Sequence, residues 1–252
     1  MDSSQRSVAA QMNPLFIVTS AVESRFGIYK PAERLQMTLD TIANVREHVP
    51  GVTIAISEVS GNGLAKEYEE QLMDACDYFF DFTTNHEVNW IYNNQAWFSN
   101  WDIVKNLTEL TTFPLALATA RDAGCLEGID RVFKMSGRYL LNEKFDLNFY
   151  NSSPANEKVV IGKRHKSQFP FQVTQLSEQY MARLLSWPTS MHESMIGYYN
   201  NARDYMRERL RAGGYADIEH CLFYALPHEH VLEIDQVGVH GTIAPNGAPI
   251  VN

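Results

Sequence analysis

Two apolar runs separated by one helix-length segment limit this chain to a small set of folds. Residues 14–20 (PLFIVTS) and 52–59 (VTIAISEV) are continuous apolar stretches, typical of strands buried on both faces. Between them, apolar residues recur at helical spacing from Leu35 to Val45, and Pro50-Gly51 ends the segment. A strand, a helix and a strand of this length predict a right-handed βαβ unit with parallel strands.

The same alternation continues towards the middle of the chain. A third strand is predicted at residues 77–82 and a fourth at 130–135. A helix is predicted over residues 102–121, and Pro114 is expected to break or kink it. Residues 86–101, rich in Asn and Trp, give no clear secondary-structure pattern. The fold class is therefore α/β, with a parallel or mostly parallel sheet flanked by helices.

Beyond residue 148 the pattern changes. Strands are predicted at residues 158–163 and 169–174, and helices at 176–186, 191–212 and 217–226. This predicts a helical C-terminal elaboration on the sheet. We expect residues 1–13 to form a flexible tail and residues 14–252 to form a single domain.

Charge and composition exclude some classes of partner. The net charge of −9 argues against a nucleic acid or an anionic membrane as the main partner, because both need basic surfaces. No run approaches the roughly 20 apolar residues that span a bilayer, and the N-terminus lacks the apolar core of a signal peptide. The three cysteines have no close spacing, which indicates buried thiols of a reducing compartment. We therefore expect a cytoplasmic protein.

Polar residues follow three of the predicted parallel strands. Because the carboxyl ends of such strands meet at one edge, where α/β sheets bind ligands, these residues are candidates for a ligand site. They are Thr19, Ser20 and Ala21, then Glu58 and Ser60, then Ser136, Gly137 and Arg138. The guanidinium of Arg138 suits a phosphate or carboxylate, which it can hold through two parallel hydrogen bonds. The alternative is that Arg138 pairs with a nearby acid and stabilises a turn.

The order of these features resembles the GT-A class of nucleotide-sugar glycosyltransferases. Residues 132–146 (VFKMSGRYLLNEKFD) and 238–247 (GVHGTIAPNG) look like segments of small bacterial and viral transferases of surface-glycan assembly. Residues 105–109 (KNLTE) resemble a Lys/Glu helix motif in some of them. The resemblance covers residues 14–247 and implies a GT-A-like Rossmann-type sheet, with a nucleotide-binding half (14–148) and an acceptor half (149–252).

The resemblance also implies roles for individual residues. The strand-end residues would hold the nucleotide, together with Lys134 and with His240, which has the placement of a histidine near the diphosphate. Glu219 has the placement of the general base of inverting members. His220 is adjacent, and only one of the two can face the donor, because consecutive helical residues diverge by about 100°. We choose Glu219 as the base, with His220 as a packing or acceptor contact.

The sequence departs from the family where a metal would bind. The fourth strand ends at Ser136-Gly137-Arg138 and not at an Asp-x-Asp motif, which leaves open whether Mn²⁺ or Mg²⁺ is used. A transfer must stabilise the charge that develops on the leaving diphosphate, which a divalent cation or a cationic side chain can do. Arg138, with Lys134 or the basic residues 163–166, could take the place of the metal.

Other motifs favour structural interpretations. Trp90, Trp97, Trp101 and Tyr92 could stack on a sugar or base, but such aromatic residues are more often core. Residues 228–230 (HEH) lack an obvious third metal ligand. Asp77 and Asp81 are predicted to cap a strand. Residues 203–211 are predicted to form a solvated helix face with charge pairs.

These observations lead to a functional prediction with alternatives. The chain is predicted to be a glycosyltransferase that moves a sugar from a UDP- or GDP-sugar to a glycan or lipid-linked acceptor. One alternative is a nucleotide- or glycan-binding module without turnover, such as a degenerate transferase, and the missing Asp-x-Asp motif supports it. Another is a nucleotidyltransferase.

Overall fold

The computed structural model describes residues 12–61, 63–94, 96, 100–242 and 247–251. The predicted tail up to residue 11, Asn62, Trp97 and residues 243–246 of the segment 238–247 lie outside the described residues.

The chain forms alternating strands and helices in its first half and a mixed arrangement in its second. The strands are β1 Pro14–Ser20, β2 Thr53–Glu58, β3 Tyr78–Asp81, β4 Arg131–Ser136, β5 Tyr139–Leu141, β6 Val159–Lys166, β7 Glu178–Pro188, β8 Val231–Ile234, β9 Val239–Thr242 and β10 Pro249–Val251. The helices are α1 Pro31–His48, α2 Lys66–Ala75, α3 His86–Asn93, α4 Trp101–Asp122, α5 Leu147–Tyr150, α6 Phe171–Thr174, α7 His192–Arg211 and α8 Ile218–Ala225. None of these helices is long and apolar enough to cross a membrane.

Seven strands form the main sheet in the order β3-β2-β1-β4-β7-β6-β8. Every strand is parallel to its neighbours except β7, which runs antiparallel to both β4 and β6. The predicted mostly parallel sheet is therefore confirmed. The remaining three strands form a small antiparallel sheet in the order β10-β9-β5.

Strand β1 lies in the interior of the sheet because its side chains are apolar on both faces. Leu15, Phe16, Ile17 and Val18 have no exposed surface. Leu15 and Ile17 pack in one apolar cluster, against α4 and α7, while Phe16 and Val18 pack in a second cluster on the α1 side. A buried central strand of this kind fixes the register of its neighbours on each side.

The register brings the three predicted strand ends together. Thr19 pairs with Ser57 of β2 on one side and with Ser136 of β4 on the other, and Ser20 pairs with Glu58. The candidate site at the carboxyl edge therefore rests on three hydrogen-bonded neighbouring strands.

Two secondary-structure predictions are wrong, and a third is wrong in part. Residues 176–186, predicted as a helix, belong to strand β7, because pairing with β4 and β6 outweighs the helical propensity of the segment. Residues 169–174, predicted as a strand, include the helical turn α6, which Pro170 precedes and the left-handed Gln175 ends at a φ of 61°. Helix α4 continues through Pro114, so the expected break is absent, and packing around this buried residue compensates for the lost hydrogen bond.

Candidate functional site

A cleft of about 740 Å³ lies at the carboxyl ends of β1, β2 and β4. Thr19, Ser20, Ala21, Ser136 and Arg138, all predicted as site residues, line it. Gly137 lines a smaller adjoining cavity together with several of the same residues. The location matches the edge at which open α/β sheets bind ligands.

The turn after β4 is held against helix α1. The backbone N–H of Gly137 donates to the Thr19 carbonyl at 2.8 Å, and the Thr38 hydroxyl lies 3.3 Å from the Gly137 carbonyl. A Cβ atom at Gly137 would lie only 2.7 Å from Oγ1 of Thr38. The glycine therefore serves close packing of the turn on α1, and this packing directs the following residue, Arg138, to the cleft.

Arg138 has hydrogen-bonding capacity to spare. Its Nε atom is buried and has no hydrogen-bond partner among the described residues. Its guanidinium lies 5.4 Å from the centre of the neighbouring Tyr139 ring. Because Arg138 forms no ion pair in the described part of the chain, the alternative interpretation as a turn-stabilising pair is not supported.

Arg34 and Lys105 add positive charge to the cleft. Arg34, on α1, donates to the carbonyl oxygens of Phe26 at 2.5 Å and Tyr29 at 3.3 Å, and so holds the loop after β1 in place. Burial lowers the pKa of Arg34, and the nearby guanidinium of Arg138 lowers it further. Lys105, on α4, lines the opposite wall. Positive charge is thus concentrated here on a chain whose net charge is −9.

Glu58 and Ser60, also predicted as site residues, are buried and do not line the cleft. The Oε1 atom of Glu58 accepts hydrogen bonds from the Val22 N–H at 3.2 Å, the Ser60 N–H at 2.8 Å and the Ser60 hydroxyl at 2.5 Å. The Ser60 hydroxyl in turn accepts from the Glu23 N–H at 2.8 Å. Burial raises the pKa of Glu58, and hydrogen bonds from Ser20 and Ser60 offset only part of this increase. These two residues tie together the loops after β1 and β2, which contribute Ala21 and Val59 to the cleft.

Lys134 is committed to an ion pair. It is buried on β4 and its ammonium contacts Oε1 of Glu109, on α4. Burial acts to raise the pKa of Glu109, but the positive charges of Lys134 and Lys105 outweigh it, so the net shift is downward. Glu109 lines the cleft whereas Lys134 does not. Lys105 is therefore the lysine that the structure presents to a ligand.

Glu219 lies close to this charged group. Burial raises the pKa of Glu219 to about 7, the carboxylate of Asp217 adds to the increase, and Lys105 opposes it. The negative charge of Glu109 also raises the pKa of Glu219, and both carboxylates raise the pKa of buried Tyr199. Glu219 thus neighbours the wall of the cleft that carries Lys105 and Glu109, although it does not line the cleft itself.

His220 has both ring nitrogens engaged. Its Nδ1 atom lies 2.6 Å from Oδ1 of Asp217, and its Nε2 atom lies 2.7 Å from the hydroxyl of Ser167. The ring has no exposed surface. His220 therefore links the start of α8 to the loop after β6.

His240 lies on β9, beside the strand that follows Arg138. It pairs with Leu140 of β5, and the next residue, Gly241, packs so closely that a Cβ atom there would lie 2.5 Å from the Arg138 carbonyl. The Nδ1 atom of His240 is buried without a hydrogen-bond partner among the described residues. His240 adjoins the Arg138 turn but is not part of the cleft lining.

The aromatic residues near α3 and α4 divide into core and surface. Tyr92 is buried, lines the cleft and packs on Gly61, where a Cβ atom would lie 2.2 Å from its ring. Trp101 also lines the cleft and is 38% exposed. Trp90 is 52% exposed and lies outside the cleft. The prediction that these residues are core is therefore correct for Tyr92 and wrong for the two tryptophans.

The remaining charged motifs are engaged elsewhere. Lys163 pairs with Asp235 and Arg164 with Glu233, on strand β6, which β7 separates from β4. In the HEH segment, Nδ1 of His228 lies 3.1 Å from the Tyr180 hydroxyl and Nδ1 of His230 lies 3.0 Å from that of Tyr198.

Asp81 accepts from the Thr83 N–H at 2.7 Å at the end of β3, as predicted for a cap, whereas Asp77 accepts from the Ile54 N–H of β2 at 2.8 Å.

The described residues that line the cleft do not form a set of metal ligands. Across the described ranges, no group of three or more His, Cys, Asp or Glu side chains is placed to hold one. At the end of β4, where the resemblance would place a metal site, the structure has the cationic Arg138. The residues present therefore do not fit a metal-bound diphosphate.

The fold has counterparts among solved structures. The mannosyltransferase Ktr4p from S. cerevisiae aligns with a TM-score of 0.55 and 10% identity, over 99% of this chain and 75% of that one. Core-mannan synthase A from Aspergillus fumigatus, in an Mn/GDP form, aligns with a TM-score of 0.51 and 9% identity, over 93% and 75%. The fold is GT-A-like. No protein-family model matches the sequence, and no curated protein matches it.

The GT-A-like cleft contains residues that sequence reasoning missed. Arg34 gave no local signal as a site residue, because the direction of its helix relative to the sheet decides what it faces. Trp101 was considered as a stacking residue but was predicted to be core. Lys105 and Glu109 had a signal, since both belong to the KNLTE motif that resembles the family. Their placement on one wall follows from their spacing of four residues along α4.

Proposed function

We propose that the protein is a glycosyltransferase that moves a sugar from a nucleoside diphosphate sugar to a glycan or lipid-linked acceptor. The observation that carries this proposal is the set of cations in the cleft, Arg34, Lys105 and Arg138, at the carboxyl edge of a GT-A-like sheet. An anion as dense as a diphosphate needs such charge, and the guanidinium of Arg138 can grip it through two hydrogen bonds.

The aromatic wall of the cleft suits the rest of the donor. Tyr92, Trp101 and Phe26 present ring surfaces beside the cations. Aromatic faces stack on nucleobases and on sugar rings, so a nucleotide sugar fits the cleft better than inorganic diphosphate does. GDP is the first nucleotide to test, because one of the structurally similar proteins was crystallised with it.

The proposal assigns a role to individual residues. Arg138 and Lys105 neutralise the leaving diphosphate, and Arg34, Glu58 and Ser60 hold the loops that shape the cleft. In an inverting transfer the acceptor oxygen bonds to the anomeric carbon and the bond to the diphosphate oxygen breaks, with its electrons leaving on the diphosphate. The acceptor proton passes to Glu219, whose pKa of about 7 suits a general base near neutral pH.

Two further parts of the proposal concern context. Cys76, Cys125 and Cys221 are free thiols, which suits the reducing cytoplasm as the place of action. The acceptor is proposed to be a glycan or a lipid-linked saccharide.

Calorimetry tests donor binding, and release of nucleoside diphosphate from a sugar donor tests turnover. We expect GDP or UDP to bind at millimolar concentration or below, and GDP- or UDP-sugars to be consumed when an acceptor is supplied. Failure of both nucleotides to bind would overturn the proposal. Binding without consumption of any donor would identify a binding module in place of a transferase.

A further inference from the structure

A second groove of about 780 Å³ lies on the other side of α3 and α4 from the cleft. On α3, Tyr92 lines the cleft and Trp90 lines the groove. On α4, Lys105 lines the cleft and Leu107 lines the groove. Residues two apart on a helix point in nearly opposite directions, which explains this division. The groove is lined by Glu87, Trp90, Leu107, Arg207, Leu210 and Arg211.

Two arginines lie side by side in this groove. Arg207 and Arg211 are one turn apart on α7, and Arg207 forms an ion pair with Glu87 of α3. Arg211 is exposed and has no ion pair or side-chain hydrogen bond among the described residues. Burial lowers the pKa of Arg207, and the charge of Arg211 lowers it further. One carboxylate therefore faces two guanidinium groups, and the groove has positive charge left over for an anion.

The floor of the groove is apolar and aromatic. Trp90 is 52% exposed, and Leu107 and Leu210 lie beside it. A flat indole face flanked by hydrogen-bonding groups is suited to the apolar face of a sugar ring, whose hydroxyl groups then reach the polar rim. A guanidinium next to such a platform adds a contact for a carboxylate, phosphate or sulfate on the same sugar.

We propose that this groove binds an anionic saccharide, with a sugar ring on Trp90 and its acidic group on Arg211 and Arg207. An acceptor glycan held here would be anchored away from the reacting end. That role as an acceptor anchor rests on the proposed glycosyltransferase function, whereas saccharide binding itself does not.

Calorimetry with two matched tetrasaccharides tests the proposal on the full-length protein. Tetragalacturonate carries a carboxylate on every ring, and maltotetraose carries none. We expect tetragalacturonate to bind at least about tenfold more tightly at low salt, and its affinity to fall as salt screens the arginines. Trp90→Ala and Arg211→Gln should each weaken binding on the order of tenfold. Phe171→Ala and Arg121→Gln are matched controls at exposed sites elsewhere, and should leave binding unchanged.

The outcomes separate this proposal from the proposed function. Equal binding of the two tetrasaccharides, or unchanged tetragalacturonate affinity in both groove variants, overturns it. GDP binding, measured on the same samples, should be unaltered by Trp90→Ala and Arg211→Gln. Tetragalacturonate binding without nucleotide binding would refute the transferase proposal and leave the groove proposal standing. Nucleotide binding without tetragalacturonate binding would refute the groove proposal and leave the transferase proposal standing.

Discussion

Arg138 is the side chain whose removal should affect nucleotide binding most directly. A hydrogen bond to a charged group contributes about 1.5–3 kcal/mol, so Arg138→Ala should weaken nucleoside diphosphate binding by roughly tenfold to a hundredfold. Arg138→Lys keeps the charge but loses the planar guanidinium group. Its affinity for nucleoside diphosphates should therefore lie between those of the wild-type protein and Arg138→Ala. Calorimetry with GDP and UDP measures the change.

The matched control for this experiment is Arg46→Ala. Arg46 is exposed and pairs with Asp77, and it is not part of the cleft. If the Arg138→Ala and Arg46→Ala proteins bind nucleotide with equal affinity, Arg138 is not part of the binding site.

Glu219 is predicted to set the pH dependence of turnover. A general base must be ionised to accept a proton, and the pKa of Glu219 is raised to about 7, so turnover should rise as pH passes through 7. Glu219→Gln should depress kcat by roughly a hundredfold or more, abolish this rise and leave the KM for the donor nearly unchanged. Steady-state kinetics from pH 5.5 to 8.5 checks all three.

Exposed Glu67, in the first turn of α2, supplies the control variant Glu67→Gln. Near-normal turnover in folded Glu219→Gln protein would show that the base lies elsewhere. Loss of turnover with an unchanged pH profile would indicate a positioning role only.

At the scale of elements, the Glu109–Lys134 ion pair joins helix α4 to strand β4. Removing one partner of a buried pair leaves an uncompensated charge, so Glu109→Gln should cost about 3–5 kcal/mol of the free energy of unfolding. The double variant Glu109→Gln/Lys134→Met should recover part of this loss, because it no longer buries an unpaired ammonium. Urea unfolding followed by circular dichroism measures both.

The sign of the pH effect follows from the lowered pKa of Glu109. The stabilisation is complete above the ordinary pKa of a glutamate and is lost as pH falls through the lower value of the folded state. The wild-type protein should therefore lose more stability on acidification than the double variant does. If the free energy of unfolding depends on pH in the same way in both proteins, the Glu109–Lys134 ion pair does not provide this stabilisation.

The elements also show how far the sequence could predict the molecule. Strands β1, β2 and β4 and the ligand edge were predictable, because continuous apolar runs and the polar residues that follow them are local signals. Strand β7 was not, because its residues become a strand only through pairing with β4 and β6, which are distant in sequence. Arg34 was missed for a related reason, since its place in the cleft depends on how α1 packs on the sheet.

At the scale of the whole molecule, charge is unevenly distributed. The chain carries a net charge of −9, yet Arg34, Lys105 and Arg138 meet in one cleft, and the carboxylates nearest to them are already engaged. Glu58 holds two loops and Glu109 holds Lys134. The cleft is therefore a local concentration of positive charge on an acidic chain, which suits the anionic donor of the proposed function.

This distribution leads to a prediction about metal dependence. If side-chain cations neutralise the diphosphate, the affinity for GDP should differ by less than about threefold between saturating EDTA and millimolar manganese, since no metal charge needs replacing. Turnover should likewise survive chelation. The double variant Arg138→Ala/Lys105→Ala, which removes two of the cations, should lose GDP binding in EDTA, and manganese should not restore it. Calorimetry in EDTA and in manganese measures the GDP affinity of each protein, with the Arg46→Ala protein as the reference. A tenfold or greater gain on adding manganese to the wild-type protein would mean that the cations of the cleft are not sufficient and that a metal completes the site.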